Sequence, residues 1–375
     1  MIINIQKNLL LENLSKASRI IDQKTFNPSL LGVFLEATDQ GLIIISSRGE
    51  QSIKIFIKAD NLNLTIKQPG KLLLKAKYLL EILRRLDDFN ITMTSVDTNQ
   101  LRISGNNVEF NLNTMSSDAY PLLGFFEKGD QIIIDANLLK IALTQTSISV
   151  NELNKKIVLS GLNFNIQENL LYISGTDSYR LSRKSINIKS FDGDPFAINI
   201  PLKSINEIIK LIDENKENIK IIKNDEHVAF IIDNVIFQST LLIGQFPDIN
   251  SAFPTDFNSV ISLGNKEFAK VIQRADITSD ESNTTVVNFS LQGNKITVTS
   301  VLSEIGNFEE EFSEFDLEGF DEQMLSFNAK YFLDAIRTFN TKIIKIKIIE
   351  KRKPILISSD EDPELIQMVL PMLIS

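Results

Sequence analysis

The sequence predicts an α+β fold of three repeated units, each with two helices packed on antiparallel sheets. Two observations lead to this prediction: amphipathic helix patterns that recur at nearly constant intervals, and stretches of alternating polar and apolar residues between them. At 375 residues the chain is long enough for two or three domains. A hydrophobic fraction of 43% with 24 phenylalanines provides side chains for real cores, which argues against global disorder.

The first set of helices begins each repeat with one pattern: a short apolar strand, a small polar break and an amphipathic helix. Ile5, Ile134 and Leu263 mark equivalent strand positions at equal intervals along the chain. Apolar residues four positions apart follow in every copy, so they share one face of a helix. We therefore predict helices within residues 5–17, 134–146 and 263–275.

A second set of helices follows at almost the same interval, and each copy begins with a lysine. An extended apolar segment precedes every copy, at residues 72–74, 197–200 and 324–327. Unrelated helices within one large domain would also give single matches, but two ordered sets with one period favour a triplication. The predicted helices of this set are 77–83, 203–209 and 330–336.

The segments between the helices alternate with period two, which is typical of antiparallel strands with one buried face. Examples are residues 53–58, 61–66, 110–113, 295–299 and 343–349. Turn-forming residues separate many of them, at 39–41, 105–107, 224–226 and 292–294. We expect three domains with the bounds 1–128, 129–253 and 254–375.

Charge is distributed unevenly. The net charge is −9, and the three expected domains carry +2, −3 and −8. Basic residues nevertheless concentrate on and beside the predicted helices, so a surface shared by all six helices would be positive. The alternative, lysines on ordinary solvated helix faces, stays open. The candidate residues of this positive surface are Lys16, Arg19, Lys24, Lys75, Arg84, Lys140, Lys203, Lys210, Lys266, Lys270, Arg274 and Lys330.

Residue types exclude several kinds of chemistry. Without cysteine there are no disulfides, thiolate metal sites or cysteine nucleophiles, and the single histidine, His227, cannot form a multi-histidine site. Phosphate-binding glycine loops and hydrolase motifs are absent. We expect no catalytic residues, no metal and no cofactor, although a carboxylate-dependent nuclease or hydrolase stays open as the alternative.

The sequence also bears on where the protein works. The start of the chain does not resemble a signal peptide. No uninterrupted apolar stretch reaches the length of about 18 residues that a membrane-spanning helix needs. We therefore expect a cytoplasmic protein that has no membrane partner.

Specific motifs then indicate a family. Residues 175–181, GTDSYRL, resemble the T-D-G/S-H/Y-R-L signature of the bacterial DNA polymerase III beta subunit, the DNA sliding clamp family. Residues 242–248, LIGQFPD, resemble its G-K/R/Q-F-P-D/E segment, and residues 369–373, VLPML, resemble its M-P-M/V-R terminus. The resemblance covers the whole chain in the right order.

This resemblance implies a head-to-tail homodimer, a ring whose helices line a central hole around duplex DNA. It makes the twelve basic residues of the positive surface the candidate DNA-facing residues. Such a ring is a processivity factor that holds DNA topologically and without sequence readout. It also implies contacts between Phe110 and Leu112 of one copy and Ile277 and Thr278 of the other. Expected partners are double-stranded DNA, a second copy, the replicative DNA polymerase, the clamp loader and other proteins with a clamp-binding motif.

The family's client pocket accepts a short peptide with a glutamine and hydrophobic anchors. Tyr179 stands where many members have histidine, and Ser251 where some have arginine. These departures concern the fine client preference and not the existence of the pocket. Apolar walls with a few fixed polar groups suit such a peptide. By similarity the pocket consists of Leu159, Thr176, Tyr179, Arg180, Leu181, Pro247, Pro354, Val369, Leu370, Pro371 and Met372.

Overall fold

The structure, a computed structural model, describes residues 1–97, 99–121, 124–213, 217–277, 285–302 and 306–372. The predicted helices are confirmed at all six positions. Each begins directly after the last residue of a strand. The helices within the described ranges are α1 (Lys7–Ser18), α2 (Ala76–Arg85), α3 (Ala136–Ser147), α4 (Leu202–Leu211), α5 (Asn265–Ala275) and α6 (Ala329–Arg337).

Nine strands accompany each pair of helices in the described residues, in the same order in all three thirds of the chain. The first third has β1 (Ile2–Gln6), β2 (Gly32–Thr38), β3 (Gly41–Ser47), β4 (Gln51–Lys58), β5 (Leu64–Gln68), β6 (Gly70–Lys75), β7 (Asn90–Ser95), β8 (Gln100–Ser104) and β9 (Glu109–Asn113). The central third has β10 (Asp130–Asp135), β11 (Gly161–Gln167), β12 (Leu170–Thr176), β13 (Arg180–Asn187), β14 (Ser190–Asp192), β15 (Ala197–Pro201), β16 (Asn218–Lys223), β17 (His227–Ile232) and β18 (Val235–Thr240). The last third has β19 (Ser259–Gly264), β20 (Val286–Gln292), β21 (Lys295–Leu302), β22 (Gly306–Phe312), β23 (Phe315–Gly319), β24 (Glu322–Asn328), β25 (Ile343–Ile348), β26 (Ile355–Ser358) and β27 (Leu365–Val369).

In every third, one strand leads into the first helix, five strands follow, and three strands come after the second helix. This common order confirms the predicted triplication and the α+β class. The strand pairs between described residues are antiparallel, as the period-two alternation predicts.

The chain folds into two compact units. One consists of Met1–Asn137, Lys189–Asp194 and Asn206–Leu241. Its sheets have the strand orders β5-β1-β7-β8-β9 and β14-β10-β16-β17-β18-β4-β3-β2-β6. The larger sheet joins the first and central thirds because β18 pairs with β4, from Val235 opposite Ile55 to Ser239 opposite Gln51.

The other unit consists of Leu138–Ile188, Pro195–Ile205 and Leu242–Ser375. Its sheets have the orders β15-β11-β12-β13-β27-β26-β25-β19-β23 and β22-β21-β20-β24. Here β13 pairs with β27, so the larger sheet joins the central and last thirds. Each unit therefore contains a nine-stranded sheet that is continuous between two repeats.

The core of the last third shows why its two helices form. Apolar residues of α5 and α6 meet between the sheets, and Phe268 and Phe332 are fully buried there with their ring centroids 6.1 Å apart. Phe332 also stacks on Phe327 of β24 at 4.3 Å. Burial of one such phenylalanine contributes about 2–3 kcal/mol to stability.

The polar residues between the first strand and helix of each repeat do not separate the two elements, since β1, β10 and β19 continue directly into their helices. One detail of the predicted elements is wrong. The strand expected at residues 61–66 begins only at Leu64, because Asp60 organises a turn before it. Its Oδ1 accepts hydrogen bonds from the backbone N–H groups of Leu62, Asn63 and Leu64, and Asn61 has a positive φ of 60°.

The same turn affects the acidity of Asp60. Hydrogen bonds, first of all from the backbone of Asn63, hold the pKa of this exposed carboxyl well below its usual value. Among the described residues no helix is long and apolar enough to span a membrane.

Candidate client-peptide site

The turn between β12 and β13 is built by side chains of the GTDSYRL segment. Asp177 Oδ1 accepts hydrogen bonds from the backbone N–H groups of Tyr179 (2.9 Å) and Arg180 (3.0 Å). Thr176 Oγ1 donates to the carbonyl of Arg180 at 2.6 Å and accepts from the N–H of Ser178 at 3.1 Å. Ser178 has a φ of +81°, a conformation in which glycine is favoured.

Arg180 then ties this turn to the last third of the chain. Its guanidinium donates to Asp177 Oδ2 at 3.1 Å and to Asp334 Oδ2 of α6 at 2.9 Å, and it lies 4.2 Å from the ring centre of Tyr331. The side chain is only 12% exposed. Burial, followed by the charge of Asp177, raises the pKa of the Tyr331 hydroxyl. Two carboxylates and a ring thus hold Arg180 in one position.

The C-terminal strand docks beside this turn, as its apolar composition predicts. β27 pairs with β13, so that Leu181 faces Met368 and Arg180 faces Val369. After the strand, the N–H of Leu370 donates to the carbonyl of Tyr179 at 2.9 Å. The N–H of Met372 donates to the carbonyl of Ser326 at 2.7 Å. The terminus is therefore fixed by backbone hydrogen bonds as far as Met372.

These elements surround a cavity of about 390 Å³, which we call the client pocket. Its other walls are a short 3₁₀ turn (Ile157–Leu159) and the segment 245–252, both of which lie in the same unit as β13 and β27. Both apolar and polar side chains line it. The lining residues are Lys156, Val158, Leu159, Thr176, Ser178, Arg180, Leu181, Gln245, Pro247, Asp248, Ile249, Ala252, Met368 and Leu370.

The structure brings together about half of the predicted pocket residues: Leu159, Thr176, Arg180, Leu181, Pro247 and Leu370. The other predicted residues do not line this cavity. Val369 is fully buried, because its neighbours Met368 and Leu370 take the pocket face of the strand. Tyr179 is 63% exposed, and Pro354, Pro371 and Met372 lie outside the lining.

Sequence reasoning missed several wall residues, Met368 among them. Side chains alternate along a strand, so the assignment of Leu370 to the pocket already implied Met368 rather than Val369. The wall formed by Asp248, Ile249 and Ala252 directly follows the LIGQFPD motif, which was a signal for extending the site. For Lys156 and Val158 the sequence offers no comparable signal.

The twelve candidate DNA-facing residues lie on helices or at their ends, apart from Lys24, which follows α1 in a loop. Several are paired within the chain. Glu12 accepts from Lys16 at 2.7 Å, Glu152 pairs with Lys203 at 2.8 Å, and Glu310 with Arg274 at 2.8 Å. Arg84 and Lys210 likewise pair with Glu81 and Glu207.

Five exposed lysines of the candidate set join no ion pair between described residues. Two of them belong to one unit and three, on α5 and α6, to the other: Lys24 and Lys75, and Lys266, Lys270 and Lys330. All five side chains are exposed to solvent. Lys75 also lies over the ring of Tyr78 at 6.0 Å. Ion pairing within the chain therefore distinguishes these five lysines, which we call uncompensated, from the candidate cations that pair with carboxylates.

The candidate interface residues lie at or near free sheet edges. Phe110 and Leu112 are half-buried on β9, an edge strand of its five-stranded sheet. Ile277, just after α5, is 64% exposed, and β22 is an edge strand of the four-stranded sheet in the described residues. Thr278 lies outside the described residues. An edge strand offers unpaired backbone groups to another chain.

Within the described ranges, no group of three histidine, aspartate or glutamate side chains could hold a metal ion. His227 begins β17, where its N–H donates to Asn224 Oδ1 at 2.7 Å in the preceding turn. The backbone N–H of His227 therefore stabilises the turn between β16 and β17.

Comparisons with known proteins agree on one family. The models of the DNA polymerase III beta subunit match along the whole chain: the N-terminal domain at residues 1–124, the central domain at 133–248 and the C-terminal domain at 250–373. The beta sliding clamp of Mycoplasma capricolum is 41% identical over 372 residues, which is 99% of both chains. That of Bacillus subtilis is 31% identical over 98% of both chains.

A crystal structure of the DNA polymerase sliding clamp from Bacillus subtilis has the same fold. It superimposes with a TM-score of 0.95 at 31% identity and covers 100% of both chains. Family models, full-length relatives and structure thus lead to the same assignment. The chain belongs to the family of the DNA polymerase III beta subunit, the beta sliding clamp, which is a non-enzymatic processivity factor.

Proposed function

We propose that the protein is a sliding clamp that encircles duplex DNA as a homodimeric ring and tethers the replicative polymerase and other client proteins. The single observation that carries the tethering role is the docked C-terminal strand, which completes a cavity with apolar walls and a fixed arginine. A hydrophobic anchor of a client peptide would fill the space between Leu181, Met368 and Leu370. Polar groups at the rim, such as Thr176 and Arg180, would orient its backbone.

DNA contact in this proposal is made through phosphates by helix cations. The five uncompensated lysines would make the largest contribution, since the paired cations are already neutralised by carboxylates. Retention comes from the closed ring, so each contact can be weak and exchange quickly. The acidic last third would then repel DNA outside the ring.

Ring closure in this proposal uses the edge strands. β9 of one copy would pair with β22 of the other, which hides both edges and packs Phe110 and Leu112 against the region of Ile277 and Thr278. Three domains with the bounds 1–128, 129–253 and 254–375 would form each half of the ring. We further propose that the protein acts in the cytoplasm, where the replication machinery of a bacterium works on DNA.

A topological experiment tests the ring. The protein is loaded on nicked circular DNA with a clamp loader and ATP, and the DNA is then linearised. A ring slides off the free ends, so the retained fraction should fall to background after linearisation. Equal retention on circular and linear DNA would overturn the encircling role.

A second experiment tests ring closure. Phe110→Asp places a charge on the proposed contact, so the dimer should dissociate to a monomer in light scattering. Leu62→Asp is the matched control, because Leu62 is 85% exposed in a turn and should leave the mass unchanged. A dimer that persists in the Phe110 variant would place the interface elsewhere.

A further inference from the structure

Beside the client pocket lies a second cavity, of about 370 Å³, which we call the amide groove. It lies on strands β11, β12, β13 and β15, on the sheet face opposite the fully buried Phe164. Its walls are strongly polar and include the side-chain amides of Asn163, Asn165 and Asn250. The groove belongs to the same unit as the client pocket, and the client-pocket residues proposed above leave its role open.

Arg183 is the one basic residue among the described residues that line the amide groove. Its guanidinium stacks on Phe253, 3.9 Å from the ring centre, and donates to Asn250 Oδ1 at 3.4 Å. Arg183 takes part in none of the ion pairs between described residues, which leaves its half-buried charge without a carboxylate. Burial lowers the pKa of Arg183, yet a guanidinium remains charged at neutral pH.

The groove also contains an acidic residue, Asp248, whose carboxylate already accepts a hydrogen bond from a nearby backbone N–H group. Its Oδ1 accepts a hydrogen bond from the N–H of Asn250 at 2.9 Å, so it serves the turn of the segment 245–252.

The other polar groups of the groove are neutral amides and hydroxyls. Asn163 and Asn199 already donate within the wall, to Asn199 Oδ1 and to the carbonyl of Gly244, whereas groups such as the amide of Asn165 can donate to an oxygen anion. Charge and hydrogen-bonding capacity therefore suit a carboxylate.

The groove is continuous with the client pocket. Leu181 lines the pocket and Arg183 lines the groove, and they share one face of β13 two residues apart, which is about 7 Å. The two cavities share a wall, which consists of Gln245, Pro247, Asp248 and Ile249. An extended peptide rises about 3.3 Å per residue, so a residue within four positions of an anchor in the pocket can reach the groove.

We propose that the amide groove holds an acidic side chain of the client peptide, whose carboxylate pairs with Arg183 while its hydrophobic anchor fills the client pocket. This inference rests on the proposed peptide-binding function. It assigns a class of specificity, namely a preference for glutamate or aspartate within four residues of the anchor, to a surface outside the pocket.

Peptide binding measured by fluorescence anisotropy tests the proposal. The probes are synthetic peptides with a glutamine and hydrophobic anchors, in which single positions within four residues of the anchors are glutamate or glutamine. At one position, glutamate should bind roughly three- to tenfold tighter than glutamine at low salt. Arg183→Gln should remove that difference, while Lys351→Gln, an equal loss of charge at an exposed turn, should preserve it.

A second variant tests the proposal without removing Arg183, in case Arg183→Gln changes the shape of the amide groove. Asn165→Asp adds a carboxylate of the same shape to the groove and leaves the arginine stacking intact, so it should weaken the glutamate peptide more than the glutamine peptide. Equal affinities of glutamate and glutamine peptides at every position would overturn the inference alone. A failure of all the peptides to bind the unmodified protein would overturn the proposed function as well.

Discussion

The client pocket and the basic helices differ in how their charged side chains are held, which suits the two different binding roles proposed for them. In the pocket, Arg180 is held by two carboxylates and a ring, and backbone hydrogen bonds fix the strand that completes the wall. On the helices, lysines such as Lys266 and Lys270 are exposed and join no ion pair among the described residues. In the proposed function the pocket would recognise shape at short range, whereas the helices would act through charge at long range.

This difference determines how much each residue contributes to the affinity for a peptide or for DNA. Short-range packing depends on the position of individual atoms, so a single substitution can abolish it. A set of exposed charges depends on their sum, so each member contributes little and salt weakens all of them together. A single substitution should therefore weaken peptide binding more than DNA binding, whereas added salt should weaken DNA binding more than peptide binding.

The largest expected effect comes from a charge placed in the pocket wall. Leu370→Glu should lower the affinity for a client peptide about 100-fold, which corresponds to about 3 kcal/mol, because a carboxylate would be desolvated against an apolar anchor. Titration calorimetry measures the change. Leu62→Glu makes the same substitution at an exposed turn and should bind peptide normally; a similar loss there would point to a non-specific cause.

Salt should separate the two kinds of binding. If the helices neutralise about three phosphates at once, raising the salt from about 50 to about 200 mM should weaken binding to a short duplex roughly 40-fold. Binding of an uncharged client peptide should change less than about twofold over the same range. Parallel salt dependence of DNA and peptide binding would remove the distinction between the two surfaces.

The next effect tests whether Arg180 acts by geometry or by charge alone. Arg180→Lys keeps the positive charge but loses the two-carboxylate bridge and the stacking on Tyr331, so peptide affinity should fall about tenfold. The free energy of unfolding should fall by about 1–3 kcal/mol, measured by denaturant titration. An unchanged affinity with the lysine would mean that charge is sufficient.

The smallest effect concerns the helix α5. Replacing both Lys266 and Lys270 by glutamine should weaken duplex binding about fivefold at low salt and reduce the salt slope by about 0.5, because each exposed lysine contacts a phosphate only part of the time. The matched control is the pair Lys351→Gln and Lys353→Gln, two exposed lysines in the turn before β26. If the control pair reduces the slope equally, α5 has no special role in DNA contact.

The fold was predictable because its repeats occur in the sequence itself. The period of the helix patterns located all six helices, and polar–apolar alternation indicated the antiparallel strands. The start of the strand predicted at residues 61–66 was wrong for a local reason. The carboxylate of Asp60 accepts hydrogen bonds from three backbone N–H groups, and this stabilises a turn where the alternating pattern predicted a strand.

The site was predictable only in part. Motifs identified the turn at residues 176–181 and the docked terminus, but they could not show which side of the terminal strand faces the cavity. The register of β13 with β27 decides this, since it places Met368 opposite Leu181 and turns Val369 into the core. Pairings between distant strands depend on tertiary packing, which a single sequence does not reveal.

The amide groove shows the same limit in another form. Arg183 reads as an ordinary strand residue in the sequence, and only the fold brings Phe253 and Asn250 to its guanidinium. For Ser178, in contrast, the sequence does indicate the local structure. Its positive φ agrees with the family motif, in which glycine or serine occupies that position.

The nine-stranded sheets have a mechanical consequence. In each unit, five residue pairs join strands of neighbouring repeats, β18 with β4 and β13 with β27. A force along these strands loads their hydrogen bonds in shear, so the bonds must break together instead of one after another. A junction built in this way is stiff under tension, and deformation under load should concentrate at strands whose outer edge is unpaired in the described part of the chain, such as β9 and β22.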